Sequence, residues 1–117
     1  MKLLVCFDVD GTLETSGGPV TLMMLARLQA MPNLFVTIVS PSAAAPPGFE
    51  RALPNGGGSR RDNLLAAKFS HPADLYLYVS NNGDQAEAIA AGFLYVDHID
   101  FATALAAAEV PVGTGSS

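Results

Sequence analysis

Residues Lys2–Gly18 read KLLVCFDVDGTLETSGG. Five apolar residues, Leu3 to Phe7, run directly into two aspartates one residue apart, and then into Gly11-Thr12-Leu13. A short, continuously apolar run containing Val and Phe predicts a strand buried on both faces. In extended chain Asp8 and Asp10 leave on the same side. Two carboxylates so placed repel, and one takes up a proton unless a positive group stands between them. The identity of that positive group is the question the sequence poses.

The chain has 117 residues, enough for one domain with a modest core. Half the residues are apolar and 15% are charged, a globular composition. The net charge is −5, so there is no Lys/Arg excess to neutralise nucleic acid or an anionic membrane. A single phosphate held in a local pocket is compatible with that balance. The one cysteine, Cys6, lies in the first apolar run, reads as a small buried hydrophobe, and fits a reducing compartment. No apolar stretch approaches the ~20 residues of a membrane span, and the run before Asp8 is too short for a signal peptide. A cytoplasmic protein is expected.

Outward from the opening strand, Gly17-Gly18-Pro19 punctuates, and Val20, Met23, Met24, Leu28 and Met31 recur at helical spacing. Pro32-Asn33 closes that helix. Leu34–Ser40 predicts a second buried strand. Pro41–Ser59 holds four prolines and four glycines and reads as a loop with one helical turn near Phe49–Leu53. Ser59 with Asp62 predicts a capped helix over Arg60–Phe69. Leu75–Ser80 is a third strand, with Tyr76 and Tyr78 on the face opposite Leu75, Leu77 and Val79. Asp84–Ala91 is a short helix stopped by Gly92. Phe93–Val96 is a fourth strand, and Asp100 caps a last helix to about Glu109. One domain over residues 1–110 is expected, with a flexible tail over 111–117.

Strands alternating with helices predict an α/β fold: a three-layer sandwich around a small central parallel sheet of about four strands. Ligands of such sheets bind beyond the carboxyl ends of the strands, where strand order reverses. Asp8, Ser40 and Ser80-Asn81 end three successive strands, so all three should gather along one edge. A hard divalent cation, Mg²⁺ above all, would relieve the repulsion between Asp8 and Asp10, with a further oxygen from Asn81 or Asp84.

The stretch FDVDGTLETSGG resembles the first motif of the haloacid dehalogenase-like (HAD) superfamily, a hydrophobic strand followed by DxDGT. The resemblance spans roughly residues 2–101. It implies a Rossmannoid fold and Mg²⁺-dependent phosphoryl transfer through an aspartyl-phosphate. It assigns Asp8 as nucleophile and metal ligand, and Asp10 as general acid/base with its carbonyl on the metal. Thr12 follows in the motif, and Ser40 of TIVSPS resembles the second-motif hydroxyl that binds the transferring phosphate. Arg61, then Arg60, stands for the third-motif cation; Lys68 reads as a solvated helix residue two turns on. In the fourth motif, Ser80-Asn81 replaces the usual Gly-Asp, leaving Asn81 as a neutral oxygen and Asp84 as the acid. The phosphate-binding set is thus Thr12, Ser40, Arg61 and Arg60, and the metal set Asp8, Asp10, Asn81 and Asp84.

No lid domain fits in either gap where family members carry one, so a small capless type is implied. An open site admits a phosphorylated small molecule or a phosphorylated macromolecular end, and a second subunit could close it as a homo-oligomer. The rival reading is a weakly active or inactive HAD-like module that binds a phosphorylated ligand or serves as an interaction scaffold. A phospho-aspartate signalling receiver also combines a parallel sheet with clustered acids, but fits the DxDGT array less well. His71, before Pro72, reads as a loop residue, and His98 as lying beyond the fourth strand. Glu14, just past the first motif, is expected to meet solvent or substrate.

Overall fold

The computed structural model describes residues 1–39, 45–51, 59–81 and 83–114. Five strands form one parallel sheet: β1 (Leu3–Phe7), β2 (Leu34–Ile38), β3 (Glu50–Arg51), β4 (Leu75–Ser80) and β5 (Leu94–Asp97), in the order β3-β2-β1-β4-β5. The chain begins in the middle of the sheet, moves outward through β2 to β3, and returns to the other side of β1. Strand order therefore reverses beside β1, which places the end of β1 at the ligand-binding position of a doubly wound sheet.

Period-two alternation along β1 divides the core. Val5 and Phe7 face one side of the sheet and pack with Val36, Ile38, Val79, Leu25, Leu28 and Ala102. Leu4 and Cys6 face the other and pack with Leu64, Ala67, Tyr78, Ala88 and Phe93. The first face is covered by α1 (Leu22–Gln29) and α4 (His98–Thr114), the second by α2 (Arg60–Ser70) and α3 (Gln85–Ala90). The three-layer α/β sandwich expected from the sequence is the observed architecture, and Tyr76 and Tyr78 sit under the α2–α3 layer as their alternation predicts. Each fully buried side chain of the size of Phe7 or Leu25 contributes about 1.5–3 kcal/mol through burial.

The helix starts have local causes. Ser59 Oγ accepts from the Asp62 amide, as its spacing from Asp62 predicts. The Thr21 hydroxyl accepts from the Met24 amide, so α1 starts at Leu22 and the expected entry at Pro19 is displaced. Glu14 also serves this terminus: its carboxylate accepts from the Leu22 amide at 2.6 Å. A negative group there is favoured by the helix dipole, and Glu14 remains exposed to solvent, one of the two roles expected of it. Gly92, at φ +87, ends α3 as expected.

Three expectations are corrected. The sheet has a fifth strand, β3, inside the segment read as a loop with a helical turn: hydrogen bonding to Thr37 and Ile38 stabilises extended chain at Glu50–Arg51. The last helix follows β5 directly, because the Asp97 carboxylate accepts from the Ile99 amide and takes the capping position assigned to Asp100. That helix reaches Thr114, four residues into the expected tail. Among the described residues no helix is long and apolar enough to cross a membrane.

Candidate functional site

The site forms where β1 ends. The backbone leaves the sheet after Phe7, held on both sides: the Asp8 amide donates to the Val79 carbonyl at 3.0 Å, and the Val39 amide to the Phe7 carbonyl at 2.8 Å. The chain then turns at once, with the Thr12 and Leu13 amides both donating to the Val9 carbonyl. The extended geometry assumed for Asp8 and Asp10 thus stops at Asp8. Asp8 is buried, with 4% of its surface exposed, while Asp10 is carried out to the rim.

Gly11 makes the turn possible. It adopts φ +76, and a Cβ there would come within 2.3 Å of the Asn81 amide nitrogen. The same closeness shows that Asn81, just past the end of β4, lies against the Asp8–Gly11 turn. Ser16 braces the turn from outside, accepting from the Gly11 amide at 3.1 Å and donating to the Val9 carbonyl. Gly18 packs so tightly that a Cβ would fall 2.2 Å from the Thr12 backbone carbon. Thr12 is fully buried, and its hydroxyl has no partner among the described residues.

The positive group beside Asp8 is Arg60, the first residue of α2. Its Nη2 lies 3.2 Å from Asp8 Oδ1 and its Nε 3.5 Å from Asp84 Oδ2. Its other terminal nitrogen donates to the Val39 carbonyl, and its guanidinium carbon stands 5.9 Å from the centre of the Tyr78 ring. A planar five-donor fork meets two carboxylates and a carbonyl through three separate nitrogens in a fixed geometry. Arg61, the preferred third-motif candidate, is exposed, and its amide donates to Glu87 Oε1. One residue along a helix is a rotation of about 100°, which turns Arg61 away when Arg60 faces the sheet.

Asp84 Oδ2 accepts from the Tyr78 hydroxyl and from Ser80 Oγ, each at 3.1 Å, besides pairing with Arg60. Asp84 therefore serves as a buttress for Arg60 through Oδ2. The sequence places Ser80 at this edge by its position at the end of β4, whereas Tyr78 reads there only as packing under a helix. The signal that links them is parity: Tyr78 and Ser80 lie on the same face of β4, two residues apart.

The electrostatics follow from burial. Desolvation raises the Asp8 carboxyl above the usual carboxylate range; Arg60 and a hydrogen bond with the Val9 backbone oppose the rise, and Asp84 and Asp10 add to it. Burial likewise pushes the Tyr78 phenol and the Cys6 thiol up, so both stay protonated at neutral pH.

Among the described residues no group of three or more His, Cys, Asp or Glu side chains is placed to hold a metal ion. At the turn stand the Asp8 carboxylate and the Asn81 side chain, whose amide nitrogen faces Gly11. A carboxylate beside an amide side chain that can turn its oxygen inward is a donor chemistry compatible with Mg²⁺, which is commonly held by one or two carboxylates, waters and substrate phosphate.

Lys68, His71 and His98 lie away from the site. Ser40 lies outside the described residues. Lys68 is not a solvated helix residue: its Nζ donates to the Ala91 carbonyl at 3.2 Å and stands 4.9 Å from the Tyr76 ring centre. A cation there caps the end of α3. His71 is packed face to face on Phe35 and lies 2.7 Å from Glu50 Oε2. His98 Nδ1 lies 3.3 Å from its neighbour Asp97 Oδ1.

No family model, no curated protein and no solved structure matches this chain.

Proposed function

We propose that the chain is an Mg²⁺-dependent phosphohydrolase of the small, capless HAD-like type, acting on a phosphomonoester through an aspartyl-phosphate on Asp8. The observation that supports this most is the pairing of a buried Asp8 with Arg60 at 3.2 Å, at the end of the strand where order reverses. A carboxylate nucleophile there has a planar cation beside it, suited to bidentate contact with phosphate oxygens.

In this reading Arg60 swings part of its fork onto the incoming phosphate and draws it toward Asp8. An Asp8 oxygen attacks phosphorus, and the bond to the ester oxygen breaks with its electron pair. Asp10, on the solvent rim, gives the leaving oxygen its proton. It then takes a proton from the water that attacks phosphorus and frees Asp8 and inorganic phosphate. Bound Mg²⁺, held by Asp8, the Asp10 carbonyl and Asn81, would supply charge neutralisation for the phosphate. Thr12 supports the turn from within. Exposure of Asp10 leaves the entrance wide, which suits a small phosphomonoester or a phosphorylated macromolecular end. The free, buried Cys6 fits a cytoplasmic setting.

A second reading has one specific observation behind it. Arg60, Tyr78 and Ser80 together satisfy Asp84, so Asp8 is left as the one buried carboxylate beside the metal donors. A site with so little negative charge could bind a phosphorylated ligand without turning it over.

The deciding experiment is a screen of phosphomonoesters with and without Mg²⁺, run on the parent protein and on Asp8→Asn. Mg²⁺-dependent release of phosphate that disappears in Asp8→Asn supports the hydrolase. Binding without release supports the second reading, and release that persists in Asp8→Asn removes the nucleophile assignment.

A further inference from the structure

We propose that Tyr78 is a positioning residue: its hydroxyl occupies Asp84, so that Arg60 stays with Asp8. Three donors meet one oxygen. Asp84 Oδ2 accepts from the Tyr78 hydroxyl and from Ser80 Oγ, each at 3.1 Å, and Arg60 Nε stands third at 3.5 Å. A carboxylate oxygen offers two lone pairs, and the two hydroxyls take them. The Nε is therefore kept beyond ordinary hydrogen-bond distance, while Nη2 lies closer to Asp8 Oδ1, at 3.2 Å.

Packing alone does not require the hydroxyl. Tyr78 is fully buried on the α2–α3 side with Leu4, Cys6, Leu64 and Ala88, and a phenylalanine would fill the same space. A phenol hydroxyl taken out of water costs stability unless it is bonded, and among the described residues the group it donates to is Asp84. The ring also stands beside the guanidinium, 5.9 Å from its carbon. It is backed by Tyr95, whose ring is 6.3 Å away and whose hydroxyl donates to the Ser80 carbonyl at 3.2 Å. Tyr78 thus meets Arg60 twice, through its ring and through Asp84, and Ser80 crowds the same oxygen from the end of β4.

Two carboxylates compete for one fork. The remaining terminal nitrogen of Arg60 is anchored at the Val39 carbonyl, and about that anchor the guanidinium can turn toward either acid. With Oδ2 crowded, the balance lies with Asp8. Freeing one lone pair of Oδ2 opens a full charge-assisted bond from Nε, and such bonds are shorter and roughly twice as strong as neutral ones. The guanidinium then moves toward Asp84 and away from Asp8. The consequence for phosphate rests on the reading of the site proposed above: the cation is drawn off the place where phosphate oxygens would arrive. The position of Arg60 does not rest on that reading.

The test follows the Arg60 Nε–H signal by NMR in the full chain, for the parent, Tyr78→Phe, Asp84→Asn and the double variant. Tyr78→Phe keeps the ring beside Arg60, and circular dichroism checks its fold. In the free protein Tyr78→Phe should move the Arg60 signal downfield and slow its exchange with water, as the bond to Asp84 shortens. Ser80→Ala frees the other lone pair and should move it the same way. A signal unmoved by both changes overturns the proposal. Inorganic phosphate is then titrated in with Mg²⁺ present. Tyr78→Phe should weaken phosphate about two- to tenfold, the worth of one hydrogen bond, and should have no effect when Asp84→Asn is already in place. An equal loss in both backgrounds makes Tyr78 a packing residue and overturns the proposal. A parent whose Arg60 signal ignores phosphate but moves in Tyr78→Phe leaves Tyr78 its positioning role and removes the phosphate reading of the site.

Discussion

The Arg60 guanidinium stands 3.2 Å from the carboxylate of Asp8, and 3.5 Å separates it from that of Asp84. The cation that relieves the acidic end of the central strand is thus part of the chain itself. Because Asp8 is buried, loss of Arg60 leaves its carboxylate without a cation in a poorly solvated place.

Arg60→Met should therefore destabilise the fold at pH 7 by about 1.5–3 kcal/mol, the worth of hydrogen bonds to a charged group. Part of the loss should be absent at pH 4, where Asp8 can protonate. Arg61→Ala, an exposed change, should stay within about 0.5 kcal/mol. Urea unfolding of both variants at the two pH values checks the assignment; equal effects would place Arg61 on the same footing.

Asp8→Asn should raise stability at neutral pH while ending turnover. The sign follows from the direction of the shift. A carboxyl whose folded pKa is raised costs the folded state stability above its ordinary pKa, and the cost vanishes once both states are protonated. Arg60 keeps Asp84 and the Val39 carbonyl in the variant. The gain expected is about 0.5–2 kcal/mol, as for other relieved functional positions. It should fade as pH falls through the raised folded-state pKa and be gone below the ordinary Asp range; thermal melts at pH 7 and pH 3 measure it, and a gain that persists undiminished at pH 3 would contradict the electrostatic cause.

Asn81→Asp should tighten Mg²⁺ by roughly tenfold, since it adds a carboxylate to a set that has one. Asp84→Asn should change metal affinity little, because that carboxylate faces Arg60, Tyr78 and Ser80. Calorimetric titration of the three proteins separates the roles. A larger loss in Asp84→Asn than the gain in Asn81→Asp would return Asp84 to the metal.

Gly18→Ala should be far more damaging than Gly17→Ala. At Gly17 the obstacle is φ +85 alone, with open space around a Cβ, which costs of order 1–2 kcal/mol. At Gly18 a Cβ would lie 2.2 Å from backbone carbon of Thr12, and the turn that carries Asp8 must shift to make room. Chemical denaturation ranks the two, and comparable losses would show that the turn yields easily.

The sequence by itself determined the α/β layering, because strand parity and helix periodicity are local patterns that burial enforces residue by residue. It located Asp8 at the end of the first strand and marked the start of α2 through Ser59 and Asp62. It also placed Tyr76 and Tyr78 together on one face of their strand. Tertiary structure decided the rest. β3 forms only because the outer edge of β2 offers Glu50 and Arg51 a partner, and two residues carry no period of their own to be read. Arg60 instead of Arg61 meets Asp8 because the rotation of α2 is set by Leu64 and Ala67 packing on the sheet. Asp84 turns to Arg60 because Tyr78 and Ser80 hold its carboxylate there, a convergence of side chains from β4, the cap of α3 and the start of α2 that no linear spacing encodes.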